Sequence, residues 1–188
     1  MTKIILASAS PRRREILTLL QIPFDAVVSN FDEGSLHHED PSLRVRELAR
    51  GKALEVSGRF PERFVLGADT VVHIDGKILE KPADRDEART MLQRLSGREH
   101  EVHTGVSLVR EGKELGQEVV LTRVRFRPLA ETEIEAYLDT GDSFDKAGAY
   151  GIQSPGARLV EGIAGCFYNV AGLPVAATLR LLAIGGMA

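Results

Sequence analysis

The sequence has a single cysteine, Cys166, and no tryptophan. One cysteine excludes an internal disulfide and fits a reducing compartment, where a packed thiol is its ordinary role. The five histidines show no metal-ligand spacing, and we assign them no function; they are His37, His38, His73, His100 and His103. We therefore expect a cytoplasmic protein without a zinc site.

Long hydrophobic runs and an excess of charge are also missing. No stretch approaches the roughly 20 apolar residues that cross a bilayer, and Ile4–Ala9 is too short for a secretion signal. The chain has 24 Lys and Arg residues and 27 Asp and Glu residues, which gives a formal net charge of -3. No overall electrostatic field therefore favours binding of DNA or RNA. We expect neither a membrane nor a nucleic acid as a partner.

Short apolar runs alternate with amphipathic stretches, a pattern typical of an α/β fold. We predict a mixed, twisted sheet flanked by helices in one domain of 188 residues, with residues 98–138 as a candidate smaller lobe. Predicted strands cover residues 4–7, 24–28, 64–72, 77–79, 100–109, 118–126 and 165–170. Predicted helices cover residues 12–20, 40–56, 84–95, 131–138 and 174–184, and residues 139–155 are rich in loops.

The first turn of the chain gathers groups that bind anions. Ser8 and Ser10 follow the first strand, and Pro11 stands at the first helical position, where its missing N–H is not needed. Arg12 and Arg13 add guanidinium groups to the free N–H groups of a helix start. The pattern fits a phosphate site, and it fits equally an ordinary capped helix with a solvated basic run.

Asp69 lies in the most strand-like apolar run of the chain, residues 64–72. Burying a carboxylate there costs on the order of several kcal/mol unless it is paired, coordinated or at the strand end. We favour a metal ligand or general base over a residue that ends the strand. Glu33, in a loop after the second strand, is a further candidate, although acidic loop residues are often only solvated.

Basic and amide groups complete the candidate set. Lys52 lies on the second predicted helix, and Lys81 precedes a proline, which favours an extended backbone there. Residues 146–153 combine Lys146, glycines that allow close approach to a ligand, and Gln153, whose amide suits the edge of a base. Solvated lysines and a flexible glycine loop are the alternatives.

Together, anion donors, two carboxylates and two lysines suit metal-assisted cleavage of a phosphoanhydride. No serine has a histidine partner in a nucleophile elbow, so acyl transfer does not fit. No GxxxxGK[ST] motif marks a Walker loop.

At these positions the sequence resembles the Maf family of nucleoside-triphosphate pyrophosphatases. The resemblance covers essentially the whole chain and is carried by six motifs in the expected order. They are Ser8–Arg13, Glu33, the Lys52 helix, Gly67–Thr70, Glu80–Pro82 and Lys146–Gln153.

This resemblance implies an α/β fold with two lobes and a central cleft, related to the inosine-triphosphate pyrophosphatases. It also implies hydrolysis of a nucleoside triphosphate to the monophosphate and pyrophosphate, with a divalent cation, Mg²⁺ or Mn²⁺. Arg12, Thr70 and Gln153 match the subgroup that acts on dTTP and UTP. A homodimer is expected from the family likeness alone.

The resemblance further implies a role for each matching residue. Asp69 would be the proton acceptor that activates water, and Glu33 and Asp69 would hold the cation. Lys52 and Lys81 would complete the catalytic set. The substrate-binding residues would be Ser8, Ser10, Arg12, Arg13, Thr70, Lys146 and Gln153.

Two other functions stay open at this point. The family has been associated with arrest of septum formation, so the chain could be a nucleotide-binding regulator of cell division without turnover. Alternatively, the enzyme could act on modified pyrimidine triphosphates rather than on dTTP and UTP.

Overall fold

The computed structural model describes residues 2–187. Its strands are β1 Ile4–Ala7, β2 Phe24–Ala26, β3 Val65–Ile74, β4 Lys77–Leu79, β5 Glu99–Arg110, β6 Lys113–Phe126 and β7 Val160–Ala164. Its helices are α1 Pro11–Leu19, α2 Pro41–Arg59, α3 Arg85–Leu95, α4 Glu131–Leu138, α5 Phe167–Val170 and α6 Val175–Ile184. Short 3₁₀ turns lie at Glu33–Ser35, Ala147–Ala149 and Pro155–Leu159.

The predicted α/β fold with a mixed sheet is confirmed. The strand order is β2-β1-β3-β5-β6-β7, with β4 paired to β3 outside this path. β1 runs parallel to β2 and β3, and the other strand pairs are antiparallel. The smaller lobe at residues 98–138 stays a prediction. Among residues 2–187, no helix has both the length and the apolar character to cross a membrane.

One predicted strand is wrong. Residues 165–170 hold the short helix α5, and the last strand, β7, lies just before them. Gly165 has a φ of 133°, and the Cys166 N–H donates to the Thr122 hydroxyl at 3.0 Å, so the backbone leaves the sheet there. A short apolar run fits a strand and a buried helix equally well, so the sequence pattern could not separate them.

Two glycines let α2 lie directly against the sheet. A Cβ at Gly67 would overlap the carbonyl oxygen of Ala49, and a Cβ at Gly105 would overlap that of Val45. Gly105 is the register partner of Asp69. The close approach of helix and sheet therefore fixes how near α2 comes to that carboxylate.

We expect Gly105→Ala to lower the free energy of unfolding by about 2 kcal/mol, because the added methyl group forces the α2 backbone away from β5. Gly58→Ala is the matched control, since no described atom lies within 4 Å of a Cβ built there. On α2 the control should be neutral or stabilising by about 0.5–1 kcal/mol. Urea unfolding measures both changes, and an equal effect of the two substitutions would contradict the packing argument.

β3 has an open edge in its middle. On the side away from β5, β1 pairs with β3 as far as Gly67, and β4 pairs with it from Val72 onward. Residues 68–71 therefore face no described strand on that side. One hydrophobic cluster packs around β1, α1 and α6, and another packs around β4, α3 and α4. The gap between them forms the predicted central cleft.

His100 on β5 is buried beside this cleft. Its Nε2 lies 2.8 Å from the Tyr150 hydroxyl, and its ring packs edge-on against Phe126 and Tyr150. Burial lowers the pKa of His100 from 6.5 to about 4. The imidazole is therefore neutral in the folded protein at neutral pH.

We expect His100→Gln to reduce the loss of stability in acid. Below pH 6.5 the unfolded chain protonates His100, but the folded chain does so only near pH 4, so stability falls as the pH drops between these values. The decrease in the free energy of unfolding that is due to His100 approaches roughly 3 kcal/mol. Urea unfolding at pH 7 and near pH 4.5 tests this, and an unchanged pH dependence in the variant would contradict it.

Candidate active site

The cleft has a volume of about 600 Å³, within the range of small-molecule sites. It is lined by the β1–α1 turn, the open edge of β3, the loop after β4 and the loop before β7. Residues of α2 and of the first 3₁₀ turn close one side. Ten of the eleven predicted site residues lie in this lining: Ser8, Ser10, Arg12, Arg13, Glu33, Lys52, Asp69, Thr70, Lys81 and Lys146.

The β1–α1 turn has the predicted form of a capped helix start. Ser10 is the N-cap, and its hydroxyl accepts from the Arg13 N–H at 3.5 Å. The Ser8 hydroxyl accepts from the Ser10 N–H at 3.2 Å. Since β1 ends beside the open edge of β3, the positive end of α1 lies in the cleft, where it favours an anion.

The Arg13 side chain is buried and bonded to the protein itself. Its guanidinium donates to the Gly172 carbonyl at 2.8 Å, the Ala68 carbonyl at 2.9 Å, and the hydroxyls of Ser8 and Thr70 at 3.1 Å each. Burial lowers the pKa of Arg13, and the nearby Asp69 charge opposes that shift. Arg13 thus joins the first turn to β3 and to the loop before α6.

Asp69, Lys52 and Glu33 form a charged group at one side of the cleft. The Lys52 Nζ lies 2.6 Å from Asp69 Oδ1 and 2.9 Å from Glu33 Oε2. The Lys52 and Asp69 side chains are 12% and 11% exposed, whereas Glu33 is 57% exposed. Asp69 is therefore buried and paired, and two carboxylates converge on the Lys52 ammonium; its role as metal ligand or general base stays a prediction.

The opposite wall carries a second ion-pair network. The buried Lys146 donates to Asp145 Oδ1 at 2.5 Å and lies 2.9 Å from Asp142 Oδ1. Arg12 Nη1 lies 3.0 Å from Asp145 Oδ2. Although burial would raise the pKa of Asp145, hydrogen bonds from Lys146 and Arg12 hold it below its ordinary value. The Lys146 ammonium is therefore already neutralised by the protein.

Sequence reasoning gave no role to three residues of this cleft: Asp145, Arg44 and Glu80, the last named only as part of the Glu80–Pro82 motif. Arg44 pairs with Glu80 and donates to the Leu36 carbonyl at 3.0 Å. Arg44 could have been found, because it precedes Lys52 by eight positions and so shares its face of α2. Asp145 gives no such signal, since Lys146 is adjacent to it but Arg12 reaches it only in the folded chain.

Thr70, Lys81 and Gln153 occupy different surroundings. The Thr70 hydroxyl accepts from Arg13 and lies 2.9 Å from the Thr104 hydroxyl. Lys81 is exposed on the cleft wall. Gln153 is also exposed. Within residues 2–187, its neighbour Ile152 lines the cleft and Gln153 does not. The structure therefore does not bring Gln153 together with the other ten predicted site residues.

The cleft thus combines a helix start that favours anions with a carboxylate–lysine group that can accept a proton. Together these groups can bind the anionic end of a phosphoanhydride and accept a proton from water. A family profile described as "Maf-like protein" matches residues 3–184. The chain belongs to the Maf family.

Curated relatives share about half of the sequence over nearly its full length. The dTTP/UTP pyrophosphatase of Symbiobacterium thermophilum is 51% identical over 184 residues, covering 97% of this chain and 93% of the relative. That of Pyrococcus furiosus is 46% identical, covering 98% and 96%. Among solved structures, the nucleoside-triphosphatase / dITP/XTP pyrophosphatase of Mycobacterium abscessus aligns over 100% of this chain and 98% of its own, at 14% identity and a TM-score of 0.46.

Proposed function

We propose that this protein hydrolyses dTTP and UTP to the nucleoside monophosphate and pyrophosphate. The observation that carries this assignment is the convergence of Asp69, Lys52 and Glu33 in the cleft that also holds the start of α1. The names of relatives that are 51% and 46% identical support the choice of substrate.

In this function the triphosphate binds at the start of α1. The free N–H groups of the first helical turn and the hydroxyls of Ser8 and Ser10 supply neutral donors, and Lys81 supplies a charge from the exposed wall. Arg13 acts as a positioning residue, because its guanidinium is held by Ser8, Thr70 and two carbonyl groups. Arg13 thereby keeps the hydroxyls of Ser8 and Thr70 in the cleft wall.

Asp69 accepts the proton of the attacking water. Its carboxylate lies on the open edge of β3, and Lys52 orients it from α2 at 2.6 Å. Because the group is largely buried, its charge is poorly screened by solvent, and fixed charges there act strongly on the developing transition state.

The residues present fit a divalent cation. The Glu33 and Asp69 carboxylates both contact the Lys52 Nζ, at 2.9 and 2.6 Å, so they lie near each other, and each keeps a second oxygen that Lys52 does not bind. Hard carboxylate oxygens suit Mg²⁺ or Mn²⁺. When bound, the cation would neutralise phosphate charge and make water a better nucleophile. Lys52 and Lys81 would balance the remaining charge of the phosphates.

Arg12, Thr70 and Gln153 are the residues that we assign to selection of the base. Gln153 is exposed next to Ile152 in the cleft lining, and its amide can pair with the N3–H and a carbonyl of thymine or uracil. Adenine and cytosine present a ring-nitrogen acceptor beside an amino donor, the reverse of that edge pattern, so an amide held in this orientation would leave them unpaired.

We expect Gln153→Glu to lower kcat/KM for dTTP and UTP by about 10-fold or more, since the carboxylate cannot donate to the base carbonyl. Hydrolysis of CTP, whose base carries the reversed donor and acceptor, should change much less. Steady-state kinetics with dTTP, UTP and CTP measure the difference. An equal loss for all three would refute a base-reading role for Gln153.

A substrate panel tests the assignment. Purified protein with Mg²⁺ or Mn²⁺ should release pyrophosphate from dTTP and UTP faster than from the other standard triphosphates. Faster turnover of modified pyrimidine triphosphates would shift the assignment to these nucleotides. Tight binding of dTTP without turnover would instead favour a nucleotide-binding regulator of cell division.

A further inference from the structure

Two histidines and a glutamate meet on the α2 face of the sheet, away from the cleft. In the β3–β5 register, His73 pairs with Glu101, and the next pair on the same face of the sheet is Val71 with His103. Glu101 Oε2 lies 3.4 Å from His73 Nδ1 and 3.2 Å from His103 Nε2. The three ligand atoms all lie within 4.8 Å of one another. The prediction that the histidines have no function did not foresee this cluster.

We propose that His73, Glu101 and His103 form a site for a divalent transition metal such as Zn²⁺, separate from the cleft. Two imidazoles and one carboxylate are the donor set of open zinc sites, in which water takes the fourth position. Tetrahedral bonds of about 2.0–2.2 Å place neighbouring donors roughly 3.3 Å apart. The two distances from Glu101 to the histidine nitrogens, 3.2 and 3.4 Å, are close to that value, and the two nitrogens lie within 4.8 Å of each other.

Surrounding side chains hold the donors in the required orientation. The Ser42 hydroxyl lies 3.0 Å from His103 Nδ1, so an Nδ1–H donated to Ser42 turns the Nε2 lone pair toward the cluster. Arg123 lies 3.8 Å from Glu101 Oε1, which leaves Oε2 for the metal. A surface depression of about 290 Å³, lined in part by His73 and Glu101, gives a metal ion access.

The cluster is distinct from the active site. His73 follows Asp69 by four positions on β3, a separation of roughly 13 Å at the rise of a strand. None of the three residues belongs to the cleft lining formed by residues 2–187. A metal there would join β3 to β5 and, through Ser42, to the first turn of α2. Its expected effect is on stability rather than on substrate binding.

The alternative is a hydrogen-bond network in which Glu101 only bridges the two imidazoles. Calorimetric titration of the chelator-treated protein with Zn²⁺ separates the two. The background is Glu33→Gln/Asp69→Asn, which removes the two carboxylates proposed to hold a cation in the cleft. We expect one equivalent to bind, and Co²⁺ in its place to give the intense visible absorption of a four-coordinate ion.

Substitutions identify the ligands. In this background His73→Asn and Glu101→Gln should each weaken Zn²⁺ binding by at least about 100-fold, and Ser42→Ala by about 10-fold. His38→Ala, outside the cluster, should change nothing. In the otherwise wild-type chain, His73→Asn should keep dTTP hydrolysis, so the metal site and the proposed activity are tested independently. Absence of stoichiometric binding, or unchanged affinity in both ligand variants, would overturn the site.

Discussion

Asp69→Asn is expected to lower kcat for pyrophosphate release from dTTP by about 10³-fold, because the amide cannot accept the proton of the attacking water. The fold should persist, since asparagine has the size of aspartate and its oxygen can still accept from Lys52. Single-turnover kinetics and circular dichroism of the purified variant measure both expectations.

Asp25→Asn is the matched control for this change. Asp25 pairs with Lys3 and Arg63 on the surface, and it is not part of the cleft lining formed by the described residues. Its activity should equal that of the wild type. Near-normal turnover in the Asp69 variant would remove Asp69 from the role of proton acceptor, whatever the control shows.

Lys52→Met is expected to lower kcat by about 10²-fold or more, the size of effect seen when a fixed charge is removed from a transition state. The ammonium lies between Asp69 and Glu33, so its loss leaves two carboxylates facing each other and the phosphates less neutralised. Steady-state kinetics over a range of Mg²⁺ concentrations measure the loss and whether added cation offsets part of it.

Lys77→Met serves as the control, because Lys77 is exposed on β4 and lies outside the cleft lining drawn from residues 2–187. It should leave kcat and KM unchanged. If Lys52→Met retains wild-type kcat at every Mg²⁺ concentration, Lys52 is a structural partner of Asp69 only.

Much of the local structure was predictable because short-range chemistry decides it. Helix α1 begins where Ser10 and Pro11 predict it, with Ser10 as the N-cap and Pro11 at the first helical position. Asp75 and Gly76 form the two-residue turn between β3 and β4, with φ values of 52° and 69°. The positive φ values at both positions are those of a type I′ hairpin turn, which Asp-Gly favours.

The remaining features depend on contacts between distant segments. Arg13 looks like a free phosphate ligand in the sequence, but Gly172, far along the chain, accepts one of its hydrogen bonds. Asp145 and the His73–Glu101–His103 cluster likewise exist only once strands and loops have met. Gln153 is exposed and lies outside the cleft lining that residues 2–187 form. Its position follows from the course of a loop, which no periodic sequence pattern encodes.

Product analysis of dTTP turnover is the most direct test of the assigned activity. Purified protein with Mg²⁺ or Mn²⁺ should convert dTTP to equal amounts of dTMP and pyrophosphate, and Asp69→Asn should lower the rate of both by about 10³-fold. Release of orthophosphate with dTDP, or saturable dTTP binding without either product, would contradict the assignment as a nucleoside-triphosphate pyrophosphatase.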